Sequence, residues 1–173
     1  MLVPITATAQ AASGATASAL RGALTCAAGT APGRPITFDP PVGLAPRTIS
    51  VRGVIQLRSC SSPGGSAGRF SSGQLIIDGT AYASCTAVSH VRGQGRIIWL
   101  DAAGHRTGTS ILRPAAQSVR GWNPSDAFLS GKITSGPFAG RQVEGRATPT
   151  TALDGCALRG LSSMHGTGRM TIS

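Results

Sequence analysis

The sequence predicts an all-β fold: an antiparallel β-sandwich, immunoglobulin-like or similar, held by two disulfides. Three observations predict it. Apolar and polar residues alternate wherever the sequence is regular, which is the period of a half-buried strand. Clusters of turn residues, drawn from 24 Gly and 11 Pro among 173 residues, separate these runs. Four cysteines form an even set without metal-site spacing, and no window carries a sustained helical stripe.

The clearest strand spans residues 48–58. Its inward side is expected to carry Ile49, Val51, Gly53, Ile55 and Leu57. Further strands are predicted at 23–28, 74–83, 95–101, 106–113, 128–135, 140–148 and 167–172, with turns at 40–43, 62–65, 103–104, 123–126 and 136–140. The inward residues of the last two strands are Val143, Gly145, Ala147, Met170 and Ile172. The final strand is expected to close the sheet.

Aromatic residues make up only 4% of the chain, so the large ones identify the expected core. Trp99 follows two isoleucines in mid-strand and is expected to pack inside, as is Phe138. Trp122 precedes an Asn-Pro turn. There, an exposed side chain that contacts a partner is an alternative to a side chain packed in the core. Trp122 and the nearby Arg120 are therefore the candidate residues for binding a partner.

The N-terminal segment differs in composition from the rest. Residues 1–22 predict either a signal-peptide remnant or a flexible extension, and residues 23–173 a single domain. Ala9-Gln10-Ala11 is a small-x-small site that signal peptidase can cut before Ala12. A basic n-region is missing, which favours a true start upstream of Met1. The alternative is a retained extension of small residues, too poor in large side chains to fold alone.

The cysteines indicate an oxidising, extracellular compartment. None of the four lies in a C-x-x-C motif, so two structural disulfides are the simplest interpretation. Four cysteines allow three pairings, and sequence alone does not select one. The favoured set joins Cys60 to Cys85 across a hairpin and Cys26 to Cys156 between the first and last strands.

The charge is strongly positive. There are 16 basic residues against 6 acidic ones, a net charge of +10, and Lys132 is the only lysine. Such a chain is attracted to polyanions, including an anionic polymer or an acidic protein. The arginines are spread singly and are not interleaved with aromatics, so specific nucleic-acid binding is not expected. No apolar run approaches the ~18 residues of a membrane-spanning helix.

Motifs for catalysis are missing from the sequence. It contains no G-x-S-x-G, no H-E-x-x-H, no P-loop and no dinucleotide fingerprint. A three-histidine site would need folding to bring together His90, His105 and His165. The carboxylates Asp39, Asp78, Asp101, Asp126, Glu144 and Asp154 mostly fall at strand ends or turns. No catalytic residue, metal or cofactor is expected, and a small hydrolase with a non-local site is the minor alternative.

Several segments in order carry a resemblance. They are LTCAAGT from Leu24, ITFDPPVGL, LRSC, YASC, IIWLDAAGHRTGTS, SGPFAG, LDGCALRGL and the closing GTGRMTIS. Together they resemble small secreted actinobacterial proteins of the Streptomyces type, mostly of unknown function, over about residues 24–173. In size and secretion the chain is similar to the adaptor subunit of umbrella toxin particles, a globular module with an N-terminal extension that links a lectin-bearing subunit to a ring of helical repeats. No functional residue is carried over.

The functional prediction is a secreted, non-catalytic binding or adaptor protein that engages a protein partner. The resemblance gives its sharpest form, a component of an antibacterial toxin particle. The alternative is a cationic protein that binds a cell surface or another polyanion, whose binding should weaken steeply with added salt.

Overall fold

The computed structural model describes residues 23–65, 67–115, 119–120 and 127–173. Within these ranges the strands are β1 (Leu24–Thr30), β2 (Ile36–Val42), β3 (Arg47–Ser61), β4 (Ser72–Ser84), β5 (Ala87–Leu100), β6 (Arg106–Pro114), β7 (Val119–Arg120), β8 (Ala127–Ser135), β9 (Gln142–Pro149), β10 (Leu161–Met164) and β11 (Gly166–Ile172). The helical pieces there are a 3-10 turn at Pro63–Gly65 and the four-residue helix α1 (Cys156–Arg159). In the described part of the chain no helix has the length and apolar character to cross a membrane.

A closed antiparallel barrel forms the body of the protein. Its strands follow one another in the order β1-β11-β9-β8-β6-β5-β4-β3, and β3 pairs again with β1. The first strand thus has a partner on each side: Ala27 faces Arg169 of β11 and Arg58 of β3. The all-β prediction is confirmed. The sandwich prediction needs correction, because double pairing of β1 closes the sheet on itself instead of leaving two sheets with free edges.

Most predicted strands are present, and the differences arise where the two-residue alternation is broken. Buried as expected are Ile49, Leu57, Val143, Met170 and Ile172. The predicted turn at 40–43 lies mostly in β2, whose prolines are tolerated because the ladder to β3 ends at Asp39. β5 begins at Ala87 rather than at residue 95, since a bulge disturbs the alternation in its first half.

Three aromatic side chains fill the centre of the barrel. Phe70, Trp99 and Phe138 are buried, with ring centroids 4.9 to 5.7 Å apart in tilted and edge-to-face arrangements. The expectation that Trp99 and Phe138 are core residues is confirmed. Every strand of the ring adds an aliphatic side chain around them: Leu24, Leu57, Leu75, Ile97, Leu112, Ile133, Val143 and Ile172.

Three strands are longer than the barrel requires. β3, β4 and β5 have 15, 13 and 14 residues, yet β1 pairs with β3 only from Ile55 onward and β6 pairs with β5 only from Gly95 onward. The part of the protein outside the barrel is termed the extension, and it is distinct from the N-terminal residues 1–22. It consists of the remaining halves of these strands (47–52, 79–84 and 87–92), the β2–β3 loop, β2, β7, β10 and α1. A second apolar cluster lies inside it and contains Val42, Ile49, Ala81, Ala83 and Cys156.

Two glycines mark the junction between barrel and extension. Gly79 and Gly93 face each other across β4 and β5, and Gly93 has a φ of 136°. A Cβ atom on Gly93 would overlap the Cα of Gly79 and the backbone oxygen of Asp78. Only residues without side chains allow the two strands to approach this closely.

Both disulfides form, but not with the favoured pairing. Cys26 is bonded to Cys60, and Cys85 is bonded to Cys156. The expected bridges between Cys60 and Cys85 and between Cys26 and Cys156 are therefore wrong. The first bridge follows from barrel closure, because β1 and β3 become neighbours and Thr25 faces Ser61. The second joins the β4–β5 turn to α1, with Cα atoms 5.9 Å apart.

Candidate functional site

A shallow groove lies on the outer side of the extension. It has a volume of about 330 Å³ and is lined by Thr48, Thr80, Ala81, Tyr82, His90 and Arg92. Strand register brings these residues together, because Thr48 faces Tyr82 and Thr80 faces Arg92. Directly opposed side chains on antiparallel strands stand about 5 Å apart, so they form one continuous surface. This surface is termed the Tyr82 groove.

The ring of Tyr82 supplies the exposed apolar surface of the groove. The residue is 43% exposed, whereas the adjacent Ala81 and Ala83 are only 6% and 2% exposed. Both alanines pack into the second apolar cluster. Because side chains alternate along a strand, burial of the two alanines directs Tyr82 to the opposite, solvent-facing side.

A β-bulge places His90 beside this ring. The pairing of β4 with β5 shifts between Thr80 and Tyr82, so that β5 contributes one extra residue there. His90 has a φ of 52°, in the left-handed region that few non-glycine residues adopt. Its imidazole lies edge-on to Tyr82, with 6.3 Å between ring centroids, and its Nδ1 lies 3.0 Å from Ser89 Oγ. Bulges commonly redirect a side chain next to a functional site.

The chemistry of the groove suits binding. Its lining offers an aromatic ring, an imidazole, a guanidinium and two hydroxyls. A guanidinium recognises planar anions, and hydroxyls both donate and accept hydrogen bonds. Among the described lining residues there is no carboxylate to orient His90 as a general base.

Two exposed leucines lie at the tip of the extension. Leu44 in the β2–β3 loop is 64% exposed and Leu158 in α1 is 87% exposed; they are termed the leucine pair. Their segments are tied together, because the N–H of Cys85 donates to the carbonyl of Gly43 at 2.9 Å and Cys85 is bonded to Cys156 of α1. With Tyr82, these are the large apolar side chains exposed among the described residues, and all three belong to the extension.

The barrel aligns arginines that are scattered in the sequence. An outward-facing row crosses β3, β1, β11 and β9 through Arg58, Ala27, Arg169 and Arg146, each directly opposite the next. This row is termed the arginine row. On the neighbouring wall Arg113 faces Lys132 across β6 and β8. Like charges directly opposite each other repel and destabilise a sheet. An anion bound to such a pair would offset this repulsion.

The three histidines have different surroundings. His90 lies in the Tyr82 groove. His105 lies in the β5–β6 turn, with its Nδ1 3.4 Å from a carboxylate oxygen of Asp101. His165 lies between β10 and β11, and its Nδ1 is 3.0 Å from Thr30 Oγ1. Within the described ranges, no group of three or more His, Cys, Asp or Glu side chains is placed to hold a metal ion.

Two of the carboxylates have identifiable local partners. Asp78 pairs with Arg52 across β3 and β4 at 3.7 Å, and both side chains are largely exposed. Asp101 accepts hydrogen bonds from the backbone N–H groups of His105 and Ala103 at 2.8 and 2.9 Å. These bonds, above all that from the His105 N–H, lower the pKa of Asp101. Asp101 therefore serves the turn, as the sequence predicts for an Asp in that position.

The predicted partner-binding residues differ from those of the site. Arg120 lies in β7, where its backbone faces Ala87 at the margin of the extension, and Trp122 lies outside the described residues, as does Asp126. Tyr82 could have been found, because its position between two alanines in an alternating strand predicts an outward ring. No sequence signal places His90 beside it, since that contact depends on the bulge.

Comparison with known proteins gives no match. No family model matches the chain. Neither a curated protein nor a solved structure matches it at a significant level.

Proposed function

We propose that the protein is a secreted, non-catalytic binding protein that engages a protein partner through its extension. The observation that supports this is the position of the leucine pair, since both side chains are exposed and both segments are attached to Cys85, the loop of Leu44 through the Gly43 hydrogen bond and α1 through the disulfide to Cys156. Apolar side chains clustered at one end of a molecule are typical of protein interaction sites. An adaptor role in a toxin particle is the most specific form of this proposal.

The covalent framework supports secretion and a preformed surface. All four cysteines are in disulfides, which persist in oxidising compartments and are rare in the cytosol. The Cys85–Cys156 bridge fixes α1 against the β4–β5 turn, so Leu158 is held before a partner arrives. Side chains ordered in advance cost less entropy on binding.

The expected partner surface is apolar with an acidic rim. Arg47 and Arg159, both exposed, stand at the ends of the segments that carry the leucine pair. Interfaces commonly place apolar residues at the centre and complementary charges around them. Burial of each leucine would contribute about 1.5–3 kcal/mol, enough to dominate a small interface.

Replacement of the leucine pair tests this proposal. The Leu44→Ser/Leu158→Ser variant is expected to lower affinity for the partner at least ~tenfold, because two apolar anchors are removed. The partner is first isolated from host culture supernatant with the full chain, then purified and titrated by calorimetry. The Leu44→Met/Leu158→Met variant, which keeps both sites apolar, should bind like the unmodified protein. Equal binding by the serine variant would contradict the assignment of the interface.

The arginine row favours a second candidate, an anionic polymer of the cell surface. Its three arginines lie on β3, β11 and β9 within a span of four adjacent strands, about 5 Å per strand, which suits several anionic groups of one linear polymer. Glu144 lies on the same strand as Arg146, so the surface is mixed but predominantly basic. The net charge of +10 acts in the same direction.

Salt dependence distinguishes this candidate from protein binding. Affinity for purified wall teichoic acid is expected to fall linearly on a log–log plot as salt rises from about 50 to about 200 mM, because binding releases counterions. The Arg58→Gln/Arg169→Gln variant should show a shallower slope. Affinity that does not change with salt concentration would rule out the arginine row as the polymer site. So would a slope of log affinity against log salt that is the same in the variant and the unmodified protein.

A further inference from the structure

We infer that the Tyr82 groove binds one acidic sugar residue of a glycan, a pyranose ring that carries a carboxylate. This goes beyond the proposed function, since it concerns a different surface and ligand. The leucine pair lies at the tip of the extension. The arginine row lies on the barrel wall, with Arg169 on β11, across the ring from β5 and Arg92.

Tyr82 and the two threonines suit the ring of a sugar. A pyranose has an apolar C–H face and a rim of hydroxyls. The exposed aromatic ring of Tyr82 is apolar apart from its hydroxyl, so it can pack against the C–H face of the sugar. Thr48 and Thr80 stand on β3 and β4 beside it, and each offers a hydroxyl that can donate and accept. The volume of about 330 Å³ is at the small end of ligand sites, which fits one sugar ring.

Arg92 suits the carboxylate of the ligand. Arg92 faces Thr80 across the β4–β5 ladder, so its guanidinium shares the outer side with the groove. A guanidinium binds a carboxylate through two parallel hydrogen bonds, which fixes the orientation of the bound ring. Asp78, on the next outward position of β4, is paired with Arg52 at 3.7 Å, and none of the described residues that line the groove is a carboxylate. The surroundings of Arg92 therefore favour an anion supplied by a ligand.

The backbone conformation at the bulge also points to a ligand. His90 is exposed, so burial in the core does not account for its left-handed backbone. Such conformations are uncommon outside glycine and concentrate where the chain binds ligands, although His tolerates them better than most residues. The imidazole of His90 therefore lies edge-on to Tyr82, where it can form a hydrogen bond with a hydroxyl of the bound sugar.

The ligand is tested by nuclear magnetic resonance with the full, disulfide-bonded chain. Tyr82 is the only tyrosine, so its ring signals report this groove alone. We expect trigalacturonic acid to shift these signals saturably at about 150 mM salt, where weak surface attraction is largely screened. Maltotriose, its uncharged counterpart, should bind at least ~tenfold more weakly.

Variants separate recognition by the groove from attraction to the whole basic surface. Arg92→Gln should weaken trigalacturonate binding at least ~tenfold, followed for this variant by the Tyr82 signals. Tyr82→Ala should do the same by calorimetry, while Tyr82→Phe, which keeps the ring, should bind normally. Arg169→Gln removes the same charge on the opposite wall and should have little effect.

Three results would overturn the inference. An equal loss in Arg169→Gln and Arg92→Gln would show that bulk charge is responsible. Equal binding of maltotriose would remove the role assigned to the carboxylate. Binding of a triglutamate peptide as tight as that of trigalacturonate would show that the groove selects a carboxylate without a sugar. Circular dichroism of each variant checks that the fold is unchanged.

Discussion

Trp99→Ala is expected to lower the free energy of unfolding by about 3–5 kcal/mol, the cost of truncating a large buried aromatic side chain. Trp99 is fully buried against Phe70 and Phe138, with centroid distances of 5.7 and 5.5 Å. Its removal leaves a cavity beside these two rings, which come from turns, so neither is held by a strand ladder. For a domain of ordinary stability, this is a large part of the total.

Two hydrogen bonds link Trp99 through Ser110 to Pro137, so substitution of Ser110 should also destabilise the protein. The Trp99 N–H donates to Ser110 Oγ at 2.8 Å, and the Ser110 hydroxyl donates to the Pro137 carbonyl at 2.5 Å. Ser110 is fully buried, so Ser110→Ala leaves one buried donor and one acceptor without that partner. We expect it to cost about 1–3 kcal/mol, less than Trp99→Ala.

Urea unfolding followed by far-ultraviolet circular dichroism measures both effects. The midpoint should decrease in the order unmodified chain, Ser110→Ala, Trp99→Ala, with an unchanged slope. Trp99→Phe should fall between the unmodified chain and Trp99→Ala, because it keeps a ring and loses the N–H. A midpoint for Trp99→Ala within experimental error of the unmodified protein would contradict the central role of the aromatic cluster.

The sequence was sufficient for features that depend on local alternation. The burial of Leu57, Met170 and Trp99 follows from period two and side-chain size, which are properties of a single strand. Phe70 was not predicted, because it lies in a turn region without periodicity and becomes a core residue only when the barrel closes over it. Local patterns therefore identified much of the core but not all of it.

Closure and disulfide pairing depend on contacts between distant segments. A sandwich and a barrel share the same strand patterns and differ in whether β1 also pairs with β3. That single pairing places Cys26 beside Cys60 and leaves Cys85 for Cys156. The Tyr82 groove has the same origin, since it needs β3, β4 and a bulged β5 in one register.

Removal of the second disulfide, by Cys85→Ser/Cys156→Ser, is expected to destabilise the protein by about 4.4 kcal/mol. The loop-closure estimate uses the separation of 71 residues between the two cysteines. The shorter separation of 34 residues for Cys26 and Cys60 gives about 3.8 kcal/mol, so the two bridges are of similar value. Urea unfolding of each double variant, with both cysteines replaced to avoid a free thiol, measures these costs.

The two double-cysteine variants should differ in which part of the folded protein becomes accessible to protease. Cys26 and Cys60 lie on strands that already pair, so their loss acts mainly on the unfolded chain. α1 has four residues, too few to be stable alone, and its attachment to the β4–β5 turn is the Cys85–Cys156 bridge. Trypsin should therefore cut after Arg159 faster in Cys85→Ser/Cys156→Ser than in Cys26→Ser/Cys60→Ser. Equal cutting at Arg159 would show that the second apolar cluster holds α1 without the bridge.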